Sequence, residues 1–322
     1  MERLLMKELA STSVSPAGGS GGGCISQGAG YLTDNYGHVF VKQNKKSGAA
    51  TMFMGELEGL KALEGTGCIR VPKPIKVFPM PDGGAAIIVE HVHIKPLSPT
   101  CEAEAGTNLA RLHLHNRELK EKAESSGDGN SLRYVAEFGF STTTCCGYIP
   151  QDNTWTDDWV TFFTQRRLEL QVNLAVKKYH DQELLHQWTA MKPKIPSFFK
   201  GIVVQPSLLH GDLWGGNIGQ TAKGEPIVFD PAVFYGHDEY DLGISSMFGG
   251  FGKSFFDAYH KLIPRTEGFD VRQELYKLFH YLNHYNHFGS RYAIFKVYHT
   301  PLAHFICSYR GSCMKILKNL AR

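Results

Sequence analysis

The run Leu208-Leu209-His210-Gly211-Asp212-Leu213-Trp214-Gly215-Gly216-Asn217, followed by Ile227-Val228-Phe229-Asp230, constrains this chain more than any other feature. An apolar strand leads into a glycine-bearing loop, and a second apolar strand ends on an acid. The loop carries His-x-Asp-x-x-x-x-Asn, the spacing of a phosphotransfer template. The residue types suit that chemistry. A hydroxyl attacking a γ-phosphate must lose its proton, so a carboxylate, Asp212, is needed in line with it. ATP arrives with Mg2+, a hard cation that takes a few protein oxygens and keeps water or phosphate for the rest. Asn217 and Asp230 offer one neutral and one anionic oxygen. Gly211, Gly215 and Gly216 let the loop turn tightly between the strands. A plain His-Gly-Asp turn with a capping Asp is the competing reading of the motif alone. The flanking strands weigh against it.

Such chemistry also needs a cation on the ATP phosphates. Lys42 ends the β-type run Val39-Phe40-Val41-Lys42, downstream of a Gly-dense stretch at 15–30 that reads as a loop. Within it, Gly21-Gly22-Gly23-Cys24-Ile25-Ser26 offers backbone N–H groups to phosphate, with Gly23, Cys24 and Ile25 nearest the expected nucleotide. It is neither a Walker loop nor Gly-x-Gly-x-x-Gly, so its position is what recommends it. A helix is expected over 48–64, where Phe53, Leu57, Leu60 and Leu63 recur at helical spacing. Glu56 shares their stripe and is the natural partner for Lys42, because an unpaired carboxylate there costs several kcal/mol as a rough figure. Glu58, equally acidic, is the alternative. The strand 85–90 ends on Glu90-His91, where a kinase-like fold presents backbone groups to adenine.

Strands and one helix dominate up to residue 91. Beyond it, helices are expected at 102–116, 155–180, 182–200, 252–263 and 270–287, broken at 206–235 by two strand-like runs. A short helix is expected at 2–10, and 118–132 reads as a solvated insert. The fold class is therefore α+β in two lobes: a β-rich nucleotide lobe (1–91) and an α-rich catalytic and substrate lobe (92–322). Composition excludes other classes. Hydrophobic residues at 42% and charged residues at 20% suit a globular core rather than disorder. A net charge of +3 gives no basis for a nucleic-acid partner. No apolar stretch approaches the roughly 20 residues of a membrane span. The start lacks a signal-peptide core. Seven scattered cysteines predict reduced thiols and a cytosolic chain.

Several segments together resemble the fructosamine-3-kinase family. They are 21–28, 39–42, Arg-Val-Pro-Lys-Pro-Ile-Lys-Val (70–77), Thr-Cys-Cys-Gly-Tyr-Ile-Pro-Gln (144–151), 208–217, Phe-Asp-Pro-Ala-Val-Phe-Tyr-Gly-His-Asp-Glu-Tyr-Asp-Leu (229–242), Met-Phe-Gly-Gly-Phe (247–251) and Tyr-Leu-Asn-His-Tyr-Asn-His-Phe-Gly (281–289). Gln27 and the Gly-Gly at 215–216 lean toward its ketosamine-3-kinase branch. The resemblance implies a protein-kinase-like fold of the aminoglycoside-phosphotransferase type. It implies ATP-dependent phosphorylation of the sugar 3-hydroxyl of ketosamines (ribulosamine, psicosamine or fructosamine) on proteins or free amines, and hence deglycation. By position, Asp212 matches the catalytic base, Asn217 and Asp230 the Mg2+ ligands, Lys42 the phosphate-binding lysine, and Val89 to His91 the adenine hinge.

Two departures stand out. The stretch 291–307 looks like an insertion and puts the docking of a last helix (312–321) in doubt. Asp241 stands where Glu is expected, a change to which little weight attaches because the carboxylate remains. Among secondary candidates, Trp214, His284 and His287 are placed as a wall against the sugar ring, on position alone. Metal ligation by His284 and His287 is set aside because no Cys or carboxylate completes a set in sequence. Cys145-Cys146 reads as core. Cys24 is a candidate redox thiol whose oxidation blocks ATP or links two chains, against a monomer in which it only fills a tight loop. The competing functions are a phosphotransferase for another small hydroxyl substrate and a pseudokinase binding module.

Overall fold

The computed structural model describes residues 1–22, 26–126, 134–290 and 308–322. Gly23, Cys24, Ile25 and the stretch 291–307 thus lie outside the described residues.

The chain opens with α1 (Glu2–Leu9). It continues through β1 (Val14–Gly22), β2 (Gln27–Thr33), β3 (Gly37–Asn44), α2 (Ala49–Thr66), β4 (Pro74–Pro79) and β5 (Ala85–Glu90). The five strands form one antiparallel sheet in the order β1-β2-β3-β5-β4. Strand alternation divides its side chains between two helices. Val39, Val41, Phe78, Ala86 and Ile88 pack with Leu5 and Leu9 of α1. Ala85, Ile87 and Val89 pack with Phe53, Leu57, Leu60 and Leu63 of α2. Each fully buried Val, Leu, Ile or Phe among them contributes about 1.5–3 kcal/mol. Lys42 follows Val41 and so falls on the α2 side of the sheet.

The Gly-dense stretch, expected as a loop, is mostly strand. β1 pairs with β2, with register shifts between Pro16 and Gly18 and between Gly18 and Ser20. Backbone pairing needs no side chains, and a run of glycines hides the period of two by which a strand is recognised. At Gly30 the absence of a side chain is required: a Cβ there would stand 2.4 Å from the Gly18 carbonyl and 2.7 Å from the His91 ring.

The helical part comprises α3 (Pro99–Ser126), α4 (Trp159–Phe163), α5 (Leu170–Tyr179), α6 (Gln182–Met191), α7 (Glu239–Ser245), α8 (Lys253–Leu262), α9 (Phe269–Phe288) and α10 (Tyr309–Leu320). α3 runs ten residues past its expected end, through much of the supposed insert. The i,i+4 pairs Arg117–Glu121 and Lys120–Glu124 lie on this extension. A π-turn (Thr164–Glu169) links α4 to α5. The helix expected over 182–200 changes at Met191 into a 3-10 segment (Lys192–Phe199), where Pro193 and Pro196 withhold N–H donors. The region 206–235 holds four short strands rather than two: β8 (Ser207–Leu209), β9 (Ile218–Gln220), β10 (Pro226–Val228) and β11 (Phe234–Gly236). They pair as antiparallel ladders, β11 with β8 and β10 with β9. A further two-residue ladder joins β6 (Cys145–Cys146) to β7 (Ile149–Pro150).

The last helix is docked. Cys313 and Leu317 are fully buried in the cluster built by α5, α6 and α9. Arg310 forks onto Asp181 at 2.7 and 2.9 Å and reaches Glu183 at 2.8 Å. Among the described residues no helix is long and apolar enough to cross a membrane.

Candidate active site

One cleft of about 660 Å³ lies between the α2 face of the sheet and the strand-loop-strand motif. Lys42, Glu56, Val89, Glu90, His91, Asp212, Trp214, Asn217, Asp230, His284 and His287 all line it. These are the expected site residues apart from Gly23, Cys24 and Ile25, which lie outside the described residues.

β3 and α2 set the cationic centre. Lys42 Nζ donates to Glu56 Oε1 at 2.5 Å and also to the Asp230 carboxylate. Glu56, not Glu58, is therefore the lysine's partner; Glu58 pairs with Lys61 at 2.9 Å. Burial opposes charge on Lys42, but the Asp230 and Glu56 carboxylates outweigh it and raise its pKa above the usual lysine value. Glu56 is pushed up, by burial first and by Asp230 third, with Lys42 pulling against both. The salt bridge joins sheet, helix and motif at one point.

The loop after β8 carries Asp212. His210 is fully buried and braces the turn. Its Nε2–H donates to the Phe229 carbonyl at 3.0 Å, while Nδ1 accepts from the Asp212 N–H at 3.3 Å. Gly211 has φ 83°, and a Cβ there would stand 2.1 Å from the Ala232 carbonyl oxygen. Asn217 Nδ2 donates to the Asp212 carbonyl at 2.8 Å and to its Oδ2 at 3.3 Å, leaving its own Oδ1 for another partner. Asp230 adopts φ 56°, in the left-handed region where Asp is among the better tolerated residues. Burial, then the Asp230 and Asp241 charges, push the Asp212 carboxyl up to about 7.

Asp241 does more than its sequence position suggested. Its two oxygens accept the backbone N–H groups of His210 and Gly211, both at 2.8 Å, and His113 Nε2 at 3.2 Å. His113 Nδ1 in turn accepts from the Tyr259 hydroxyl at 2.8 Å. These bonds hold the Asp241 carboxyl below the ordinary carboxylate range despite complete burial. α7, which carries Asp241, is fixed to α9 by Arg272, whose Nε and Nη2 donate to Glu239 at 2.8 and 2.7 Å. Arg70 was also missed: it forks onto Glu90 with two contacts of 2.6 Å. Both are long-range pairings with no signal in local spacing.

At the hinge, the Glu90 N–H donates to the Lys73 carbonyl at 2.8 Å and the His91 N–H to the His38 carbonyl at 3.1 Å. Those two N–H groups are therefore already engaged, and Val92 and Ile94 line the same cleft. On the opposite side, the Trp214 and Phe248 ring centroids lie 5.8 Å apart and those of Phe248 and His284 4.9 Å apart, an aromatic wall. His287 Nδ1 donates to the Asn283 carbonyl at 2.7 Å, and Nε2 accepts from the Tyr148 N–H at 3.1 Å. Both its nitrogens are thus occupied within the fold. Cys146 is core, as expected, whereas Cys145 reaches the cleft wall.

The fructosamine kinase family model matches residues 2–299. The chain is 47% identical to ketosamine-3-kinase of Mus musculus over 329 residues, covering 100% of both. It is 41% identical to the chloroplastic protein-ribulosamine 3-kinase of Arabidopsis thaliana over 288 residues, 89% of this chain and 82% of that one. In structure it is similar to a Haemophilus somnus 129PT protein solved under a fructosamine-3-kinase name (TM-score 0.75, 21% identity, 99% of this chain and 96% of that one). It is also similar to the ADP-bound aminoglycoside phosphotransferase APH(2'')-Ib (TM-score 0.58, 14% identity, 99% and 95%). The last two establish a shared protein-kinase-like fold.

Proposed function

This chain belongs to the fructosamine kinase family, and from that premise we propose that it transfers the γ-phosphoryl group of ATP to the 3-hydroxyl of ketosamines carried by proteins or free amines. It is a kinase by its kinship with the ketosamine and ribulosamine 3-kinases. The observation that carries the detailed reading is the convergence of Lys42, Asp212, Asn217 and Asp230 on one cleft.

In this reading residues 1–91 form the nucleotide lobe and 92–322 the catalytic and substrate lobe. Lys42, steadied by Glu56, meets the phosphates. Adenine lies against Val89 to His91, with Gly23 to Ile25 as the phosphate loop. The donor set fits Mg2+: Asn217 keeps Oδ1 free of Asp212, and Asp230 presents a carboxylate, both hard oxygens. Asn217 and Asp230 would hold the ion, which neutralises charge on the β- and γ-phosphate oxygens. Asp212 takes the proton of the attacking hydroxyl. Trp214, His284 and His287 flank the sugar. Phosphorylation at O3 makes the adduct labile and frees the amine, so the outcome is deglycation. In this reading the activity is cytosolic, which the scattered cysteines support as expected reduced thiols.

Asp212→Asn tests the mechanism. Turnover of ribulosamine or fructosamine substrates should fall by about 10²–10⁴, the usual contribution of a general base, while ATP still binds. Full activity in that variant would overturn the assignment. Turnover of an aminoglycoside but of neither ketosamine would favour the other phosphotransferase, and ATP binding without turnover a pseudokinase.

A further inference from the structure

Beneath the Asp212 carboxylate, β6 and α9 bring together groups that the phosphotransfer reading does not use. Cys146 Sγ, a His280 ring nitrogen and an Asp212 carboxylate oxygen all lie within 4.8 Å of one another. Cys146 is 2% exposed and His280 is 0% exposed. Neither His280 nitrogen has a hydrogen-bond partner among the described residues. An orphaned buried imidazole is costly and calls for an explanation. The Tyr240 and Phe279 rings pack around it, with centroids 5.2 and 5.1 Å away. Burial pushes its pKa down to about 3, so the ring is neutral and keeps a free lone pair. Asn283 Nδ2 donates to Cys146 Sγ at 3.1 Å and orients the sulfur.

Thiol, imidazole and carboxylate together are a donor set for zinc. Mg2+ demands six oxygens in a near-ideal octahedron and is poorly served by sulfur. With Zn–S of about 2.3 Å and Zn–N and Zn–O of about 2.0–2.2 Å, ligand atoms in a tetrahedron stand about 3.3–3.7 Å apart. From within 4.8 Å, the atoms need close by no more than about 1.5 Å to reach that spacing. We propose that Cys146, His280 and Asp212 form a zinc site, reached from the cleft through Asp212, and that zinc bound there holds the carboxylate away from the substrate hydroxyl. The site itself follows from the cluster alone. The inhibition rests on Asp212 being the base.

Binding breaks the Cys146 S–H bond and forms Zn–S, and the proton leaves to solvent. His280 gives its lone pair to form Zn–N, and the Asp212 carboxylate forms Zn–O. The ion arrives with six waters; five depart and one remains in the fourth position of the tetrahedral site.

The test uses the full chain, stripped with chelator and dialysed against buffered micromolar free Zn2+, with bound metal measured directly. Co2+ serves as the optical probe. About one zinc per chain is expected for this donor set, and the Co2+ form should show tetrahedral bands with a thiolate charge-transfer band. Cys146→Ser should weaken zinc binding by at least about tenfold and lose that band. Cys146→Ala should do the same, with circular dichroism showing that both variants fold. Cys145→Ser, outside the cluster, should keep wild-type affinity. Inhibition by zinc, expressed against each variant's own metal-free rate, should follow occupancy. No retained zinc, unchanged affinity in both folded Cys146 variants, loss of binding in Cys145→Ser, or unchanged turnover at full occupancy would each overturn the proposal. Asp212→Asn assayed without zinc tests the base alone, so its failure is distinguishable from failure of the site.

Discussion

A single carboxylate, Asp241, holds the geometry of the turn before Asp212. It accepts two backbone N–H groups and one imidazole in a region with no solvent to replace them. Asp241→Asn keeps the shape but turns a donor toward at least one of those donors. We expect a loss of about 1–3 kcal/mol in unfolding free energy, the cost of an unsatisfied buried polar group, read as a lower urea midpoint. The turnover rate should fall with the turn's order, while the KM for ATP, which the proposed reading assigns to Lys42 and the end of β5, should hold. The motif residues were legible because their chemistry lies in short spacing: His210, Asp212, Asn217 and Asp230 span twenty-one positions and needed no fold to be noticed. Asp241 was visible but undervalued. Arg70 and His280 were silent, because what gives them meaning is a partner far away in sequence.

Elements that show a side-chain period were legible and those without one were not. β5 reads as a strand from its apolar run, and α2 from its stripe. β1 and the start of β2 fall in the glycine-dense stretch 15–30 that reads as a loop, although their backbones pair within β3's sheet. The charged end of α3 looked like a solvated insert because its residues are polar on every face, and at that end i,i+4 pairing supports the helix in place of a buried stripe. The turn between β6 and β7 docks onto α9 through His287, which accepts the Tyr148 N–H. Burial pushes the His287 pKa down to about 4, against its ordinary 6.5. The unfolded chain therefore takes up this proton first as pH falls. Stability from this group is complete above about pH 6.5 and declines toward pH 4, by up to about 1.4 kcal/mol per pH unit. Urea midpoints measured between pH 7.5 and 5 should fall, and His287→Gln should flatten that slope. An equal slope in the variant would assign the acid sensitivity elsewhere.

At the scale of the molecule, the helical part is tied together at Asp181. It caps α6 by accepting the Leu184 N–H at 3.1 Å, accepts the Tyr285 hydroxyl of α9 at 3.1 Å, and receives the Arg310 fork from α10. α10 is anchored by charge and by buried Cys313 and Leu317. Arg310→Ala should cost about 1.5–3 kcal/mol, the range for hydrogen bonds to charged groups. The loss is expected as a lower melting temperature, with the KM for ATP unchanged because α10 does not reach the cleft.

The brace at α7 has one more consequence. Every residue of that short helix is buried, and its first turn does two things at once: Asp241 grips the turn below Asp212 while Glu239 is clasped by Arg272. If Asp212 is the base as proposed, a wedge driven between Glu239 and Arg272 is felt at the reacting hydroxyl as a misaligned proton acceptor. On that proposal phosphorylation is silenced from a spot outside the cleft.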